Sequence, residues 1–529
     1  MKHPFIFFLL TLAGLSGCSN QKQKKVETTQ DETAAVSRPV SSDALKEGLT
    51  LTRQYCMGCH RYPEAKLLDK ATWKNHVLPR MGYMMGIYPS QAERSTLIEA
   101  GPGGMIVEQV EVFPQKPVLN AEKWQLICDY YLHHAPDSLA VPEPKLQYEL
   151  KNFQLRKPQY KLSPPSTTLV KFHDREIFVG DANTKAFYLF DNQLNLKNAA
   201  NVKEGAVWAE PTDQRIYLTV MGSFSPTDTP SGFLMSLPRQ AQEKTKVLLK
   251  NLQRPVHSDF GDLNGDGLED IVVCEFAKWT GCLAWWENKG SDQYEKHLLR
   301  PKPGAIKAYI RDMNQDGRPD IVTLFGQGDE GIFIYFNQGN GQFEERRVIT
   351  LEPSYGSSYF NLFDFNEDGH LDIIYTAGDN ADYPPILKPY HGIRIYLNNG
   401  RNEFKEDFFY PLPGAYQAIP TDFDQDGDLD IAAISFFPNY DRQPAAGFVY
   451  LENQGNMKFK AHTFPEVNQG RWIVMDVGDM EGDGDQDIIL GSLTFEVPNK
   501  QALVQQWVDQ ALPFVVLENT TRQRPMVLR

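Results

Sequence analysis

Two sets of residues in this 529-residue chain have types and spacings suited to chemistry. The first is Cys56-Met57-Gly58-Cys59-His60. The C-x-x-C-H spacing lets two thiols add to the vinyl groups of one haem from a single helical turn and aims the His imidazole at the iron. The second is a family of acidic loops with oxygen-bearing side chains at positions 1, 3, 5 and 9 and Gly at position 6. In order they are Asp262, Asn264, Asp266, Asp270; Asp312, Asn314, Asp316, Asp320; Asp364, Asn366, Asp368, Asp372; Asp422, Asp424, Asp426, Asp430; and Asp479, Glu481, Asp483, Asp487. Gly at position 6 allows the sharp turn that converges such oxygens on a hard cation. An EF-hand would place a bidentate Glu at position 12, where this chain has Val273, Thr323, Tyr375, Ala433 and Leu490, so an EF-hand is excluded.

The elements that must position these residues fall into two patterns. From Asp43 a helical pattern begins, with Leu45, Leu49 and Tyr55 at core spacing, and a second helix is predicted over Ala121–His134 on the stripe Trp124, Ile127, Tyr130, Tyr131. These bound a small all-α domain over residues 43–136. A Pro-containing linker over 137–160 follows it. Beyond about residue 160, strands alternate with Gly-, Asn- and Asp-rich turns. The acidic loops begin 50, 52, 58 and 57 residues apart, and each is followed by a strand ending in Asn288, Asn337, Asn398, Asn453 or Asn519. A repeat of this length cannot bury its own sheet faces, so its neighbours must stack. Radial stacking is the solution that leaves only short edges. Residues 165–200 and 203–250 read as two degenerate units. The fold class is therefore multidomain: an all-α domain, then an all-β propeller over 161–529, with seven blades favoured over six or eight.

Residues 43–136 resemble class I cytochromes c, on the Cys56–His60 motif, Gly48 and the Trp124–Tyr131 stripe. The resemblance implies one covalent haem c, a helix crossing at the small residue, and a Met as sixth iron ligand. Met81 is favoured, in a turn Val77–Gly82, over Met84, Met85, Met105 and His76. Residues 255–520 resemble the FG-GAP (VCBS) repeats of integrin-type propellers. This implies up to five Ca²⁺ ions in the loops, in a structural rather than a catalytic role.

Residues 1–18 read as an export signal, and Leu15-Ser16-Gly17-Cys18 resembles the lipobox of bacterial lipoproteins, which implies acylation of Cys18. Ser19 favours the outer membrane within that resemblance. The polar stretch 19–42 reads as a disordered tether. Of the six cysteines, Cys274 and Cys282 flank a predicted hairpin with the option of a disulfide, and Cys128 reads as a small core residue. The formal charge of −15 excludes nucleic acid as partner.

The function expected is an exported, periplasm-facing or cell-surface electron carrier. It would be held to the membrane by lipid, and its propeller would bind a carbohydrate or protein ligand; the redox partner is not identified. His257, Lys307, Tyr359 and Gln417, five residues before four of the loops, are expected to line the channel mouth. The alternatives are a sugar or alcohol dehydrogenase passing electrons to the haem, or a carbohydrate-binding or adhesion module. No catalytic residue is assigned, and no dinucleotide fingerprint is present.

Overall fold

The computed structural model describes residues 40–239, 243–381 and 386–522. The export signal, Cys18 and the tether up to residue 39 lie outside the described residues. Six α-helices occupy the first part: α1 (Ser42–Cys56), α2 (Lys70–Thr72), α3 (Leu78–Met84), α4 (Gln91–Thr96), α5 (Pro102–Gln109) and α6 (Ala121–His134). Short polar side chains start three of them. Asp69, Ser90 and Asn120 each accept the backbone N–H of the residue three positions on, which satisfies one of the amides that a helix start leaves orphaned.

The core of this unit forms where α6 meets the turn after α1. Trp73 stacks on Tyr131 with ring centroids 4.2 Å apart, and its indole donates to the Ala65 carbonyl at 2.8 Å. The Tyr131 hydroxyl donates to the Pro63 carbonyl at 2.8 Å. Gly48 lets α1 cross α6 closely: a Cβ there would lie 2.4 Å from the Leu126 carbonyl oxygen and 3.0 Å from Tyr130 Cβ.

The rest of the described chain forms seven four-stranded antiparallel sheets, with one helix, Gln501–Gln510, inserted between the second and third strands of blade 7, where only strands and turns are expected from the sequence. The inner strands of blades 1 to 7 are Thr167–His173, Ala206–Pro211, Pro255–Gly261, Ala305–Arg311, Ser357–Phe363, Ala415–Thr421 and Trp472–Gly478. Blades 1 and 2 are the two degenerate units. Each adjacent pair of blades shares one buried apolar cluster, and the cluster between blades 7 and 1, with Val170, Phe172, Ile489 and Phe514, closes the ring. Closure has a second component. The outer strand of blade 7 is Phe153–Arg156, paired with Phe514–Asn519 from the far end of the chain. The segment read as a linker therefore contributes a strand. Part of the remainder runs along blade 6, where Gln147 bridges to His462. Four residues do not announce a strand in the sequence, because only the partner at the other end of the chain makes them one.

The expected option of a Cys274–Cys282 disulfide is not realised: both are buried free thiols. Cys274 pairs with Leu283, whereas Cys282 pairs with Glu275. Neighbouring positions on a strand point to opposite faces, so the two sulfurs lie on opposite sides of the blade.

The helical unit rests on the propeller face away from the acidic loops, where the inner strands begin. Arg61 pairs with Glu352 at 3.3 Å, and the Tyr390 hydroxyl donates to the Leu67 carbonyl at 2.9 Å. Glu99 accepts from the Thr227 hydroxyl at 2.8 Å and from the Asp228 amide at 3.0 Å. Phe113 meets Trp279 edge-on at 5.3 Å. These contacts come from blades 2, 3 and 5 and from the connection between blades 4 and 5.

Replacing Gly48 with Val should force α1 from α6 and cost the helical unit about 1–3 kcal/mol or more. Gly58→Ala, where the nearest atom to the new Cβ is 3.7 Å away, should stay within about 0.5 kcal/mol. Denaturant melts followed by far-ultraviolet circular dichroism read both.

Candidate functional site

The structure builds three places from the residues singled out in the sequence. The Cys56–His60 motif lies at the C-terminal end of α1, where the helix gives way to a turn. Cys56 is buried and Cys59 exposed, and neither is bonded to another sulfur. Burial, with the neighbouring Cys59 adding to it, pushes the Cys56 thiol up to about 11. His60 Nδ1 lies 2.7 Å from the Arg61 carbonyl oxygen. A carbonyl can only accept, so in the neutral ring Nδ1 carries the proton and Nε2 the lone pair.

Among the candidate sixth ligands, the stretch Val77–Gly82, expected as a turn, is helical and places Met81 inside α3. Met81 and Met85 are half-buried against the helical core, in the same cluster as Tyr55 beside Cys56. Met84 closes α3. Met105 is 67% exposed, on α5, the helix that carries Gly103 against the Thr229 amide. His76 sits half-buried in the helical turn Trp73–Val77.

The five acidic loops share one construction. The position-1 carboxylate curls the loop around itself: Asp262 accepts from the amides of Gly265 at 2.8 Å, Asp266 at 3.2 Å and Gly267 at 2.9 Å. The position-5 carboxylate accepts the amide two residues on, as Asp316 does from Arg318 at 2.9 Å. Position 6 is left-handed in every loop, with φ of +82° at Gly267, +84° at Gly317 and Gly369, +98° at Gly427 and +93° at Gly484, which is why Gly is needed there.

Position 9, which the spacing places among the ligands, has an additional task. Asp270, Asp320, Asp372, Asp430 and Asp487 are fully buried. One oxygen of each accepts the amide that follows position 1 (Leu263, Met313, Phe365, Phe423, Met480). The other accepts the amide of the strand-ending Asn (Asn288, Asn337, Asn398, Asn453, Asn519). The recurring Asn thus reads as the partner of the recurring Asp.

The loops are not equivalent. Carboxylate oxygens of Asp422, Asp424 and Asp426 lie within 4.8 Å of one another, and burial, reinforced by Asp426, raises Asp424. In the fifth loop Glu481 is drawn into an ion pair with Arg156 at 3.1 Å, and the Arg522 amide donates to Asp485 at 3.0 Å. That loop is partly neutralised by the protein itself.

The third place is the channel. All seven inner strands carry a register shift at their start, so one residue in each is re-aimed: between Thr167 and Leu169, Ala206 and Trp208, Pro255 and His257, Ala305 and Lys307, Ser357 and Tyr359, Ala415 and Gln417, and Trp472 and Val474. His257, Lys307, Tyr359 and Gln417 are thereby brought to one level. Trp208 joins them unannounced, because blade 2 has no acidic loop from which to count back. Gln417 is spent on the Met475 backbone, donating at 2.8 Å and accepting at 3.0 Å.

Three stretches, residues 262–323, 312–375 and 422–490, match the FG-GAP-like repeat. FG-GAP-like repeats on a seven-bladed β-propeller are thus the class that fold and loops define. Among curated relatives, the chain is 25% identical over 166 residues to a T-cell immunomodulatory protein homolog of Plasmodium falciparum (isolate 3D7), over 28% of this chain and 22% of that protein. The chain therefore spans about a fifth of that relative's length. Among solved structures, it is similar to the N-terminal domain of Nup159 (10% identity, TM-score 0.39, 72% of this chain and 100% of that one). It is similar also to Saccharomyces cerevisiae Sqt1 (9%, 0.39, 68% and 96%) and to the Dos1 propeller (8%, 0.39, 71% and 82%).

Asp270→Ala should strand the buried Leu263 amide and the half-buried Asn288 amide and lower stability by about 2–5 kcal/mol. Asp266→Ala, whose partner amide is exposed, should cost less than about 1 kcal/mol in calcium-free buffer. Equilibrium urea unfolding compares the two.

Proposed function

We propose that this chain is an exported, lipid-anchored c-type electron carrier, with one haem on the helical unit and a calcium-braced propeller that binds a ligand or partner. The observation that carries this reading is the Cys56–His60 turn: two unpaired thiols one turn apart and a His60 whose Nδ1–H is already committed to the Arg61 carbonyl. Cys56 and Cys59 would hold the haem through thioether bonds, and His60 would present Nε2 to the iron. When bound, the haem supplies a one-electron couple. Met81 is the sixth ligand we favour; it and Met85 share the helical core cluster with Tyr55, whereas Met105 is exposed. Close packing of α1 on α6 at Gly48 supports the same reading, since it braces the helix that carries both thiols. Export through residues 1–18 and acylation of Cys18, with the outer membrane favoured, complete the proposal.

Protein matured in a haem-attaching periplasm should give a pyridine haemochrome equal to one haem per chain, and Cys56→Ser with Cys59→Ser should abolish it. No haemochrome from the wild-type chain overturns the reading.

Calcium fits the oxygen set of the loops, with hard carboxylate and amide oxygens on a Gly-hinged turn. Its removal by chelator should lower the melting temperature, each site contributing about 2.7 kcal/mol at a hundredfold excess over Kd. Asp422→Ala should remove part of that shift. Asp479→Ala should remove less, because Arg156 already occupies Glu481 in the fifth loop.

A second reading, a sugar or alcohol dehydrogenase, is favoured by the seating of the helical unit on the channel face. Haem reduction by one member of a sugar and alcohol panel would establish it.

A further inference from the structure

We propose that the channel end beneath the helical unit is a binding site for a small oxyanion, held by Lys307, His257 and the Trp208 indole N–H. The inference rests on the reading of the propeller as a binding module and names its site and ligand class; haem attachment plays no part in it.

Buried polar groups are almost always hydrogen-bonded, and here neighbouring ones are not. His257 is 3% exposed with neither ring nitrogen partnered, and Trp208 Nε1 is buried without a partner. Lys307 is 6% exposed. Its ammonium rests on ring faces alone among the described residues, 4.1 Å from the centroid of Tyr359, 4.7 Å from Tyr309 and 5.2 Å from Trp208. The His257 ring lies 4.3 Å from Trp208. These side chains come from blades 2, 3, 4 and 5; the helical unit touches blades 2, 3 and 5 and the connection between blades 4 and 5.

The set is rich in donors and poor in acceptors. Lys307 and the indole only donate, and a neutral His donates from one nitrogen. Lys171 adds a second ammonium 5.6 Å from the same indole. Of the nearby carboxylates, Asp259 accepts the Ile310 amide at 2.7 Å, and Asp476 accepts the Phe172 amide at 2.8 Å and Lys171 at 3.3 Å. Glu210, two residues beyond Trp208 on the same strand, is raised by burial and faces Lys171, Asp259 and Asp476. Core packing alone would use apolar residues at these positions, and water would meet the N–H groups without balancing the ammonium. A carboxylate or a phosphate-type anion does both.

The groups facing Lys307 are Lys171 from blade 1, His257, Asp259 and Cys274 from blade 3, Tyr309 from its own strand, Tyr359 from blade 5 and Asp476 from blade 7. Burial first, and then Lys171, hold Lys307 down to about 7. Binding that needs the ammonium is full below that pH and falls about tenfold per unit above it.

Calorimetric titration of the full calcium-loaded chain with sulfate, acetate and inorganic phosphate tests this at pH 6.5 and 8.5. Sulfate and acetate keep their charge over that range, so the pH change acts on the protein; phosphate against acetate separates tetrahedral from planar anions. The expected result is saturable one-site binding of at least one anion at pH 6.5, at least tenfold weaker at pH 8.5. Lys307→Met should abolish it, Trp208→Phe should weaken it several-fold with an unchanged melting temperature, and Lys250→Gln, an exposed lysine, should leave it intact. No saturable binding of any of the three to the wild-type chain, or unchanged affinity in Trp208→Phe together with Lys307→Met, overturns the proposal. If Lys307→Met does not fold, Trp208→Phe and the pH dependence decide. Repeating the titration on the Cys56→Ser, Cys59→Ser chain keeps this outcome separate from that of the haem.

Discussion

A buried carboxylate with a backbone amide on each oxygen holds each of the five regular blades together. The aspartate that opens the second strand reaches back to the start of its loop and across to the end of the third strand. One side chain thereby ties the inner, second and third strands at the rim. The Asn at that third-strand end adds a further tie. Asn337 donates to the Leu263 carbonyl of the preceding blade at 2.9 Å, and Asn519 donates to the Phe423 carbonyl at 2.8 Å. A carboxyl group at a fully buried position is costly unless it is fully hydrogen-bonded, and burial raises all five of these aspartates while the paired amides oppose that shift. This explains why the Asp and the Asn recur as a pair rather than singly.

That rim leaves the opposite face free for other work. There the inner strands bulge at a common level, the helical unit docks over blades 2 to 5, and unpaired polar groups collect in the channel. Bulges are a known means of re-aiming a side chain, and seven in register produce a ring where regular pleating would turn those residues toward the blade interiors.

The helical unit is tied down by few but varied contacts: an ion pair at Arg61, a hydrogen bond at Leu67, a carboxylate cap at Glu99 and an aromatic edge at Phe113. Arg61 follows the motif histidine directly, so the contact nearest the Cys56–His60 turn also joins the two units. Glu99 stops the Thr227–Thr229 turn of blade 2 by accepting its amide and hydroxyls. These contacts make Ser42–Arg529 one compact unit.

Periodicity made most of this legible before any coordinate. The acidic loops, the Asn-ended strands, the Ala121–His134 helix and the Cys56–His60 spacing are local patterns, and local patterns survive in a linear text. The contacts that join distant segments do not. Phe153–Arg156 becomes a strand only because the far end of the chain lies beside it, and Cys274 and Cys282 are parted by the pleat although the turn between them is short. Trp208 and Lys171 enter the channel from blades without acidic loops, so counting back from a loop could not find them. Sequence alone determined which units repeat and which residues could bind haem or calcium. The tertiary structure decided how many blades close the ring and which side chains are buried without partners, because both depend on what neighbours in space supply.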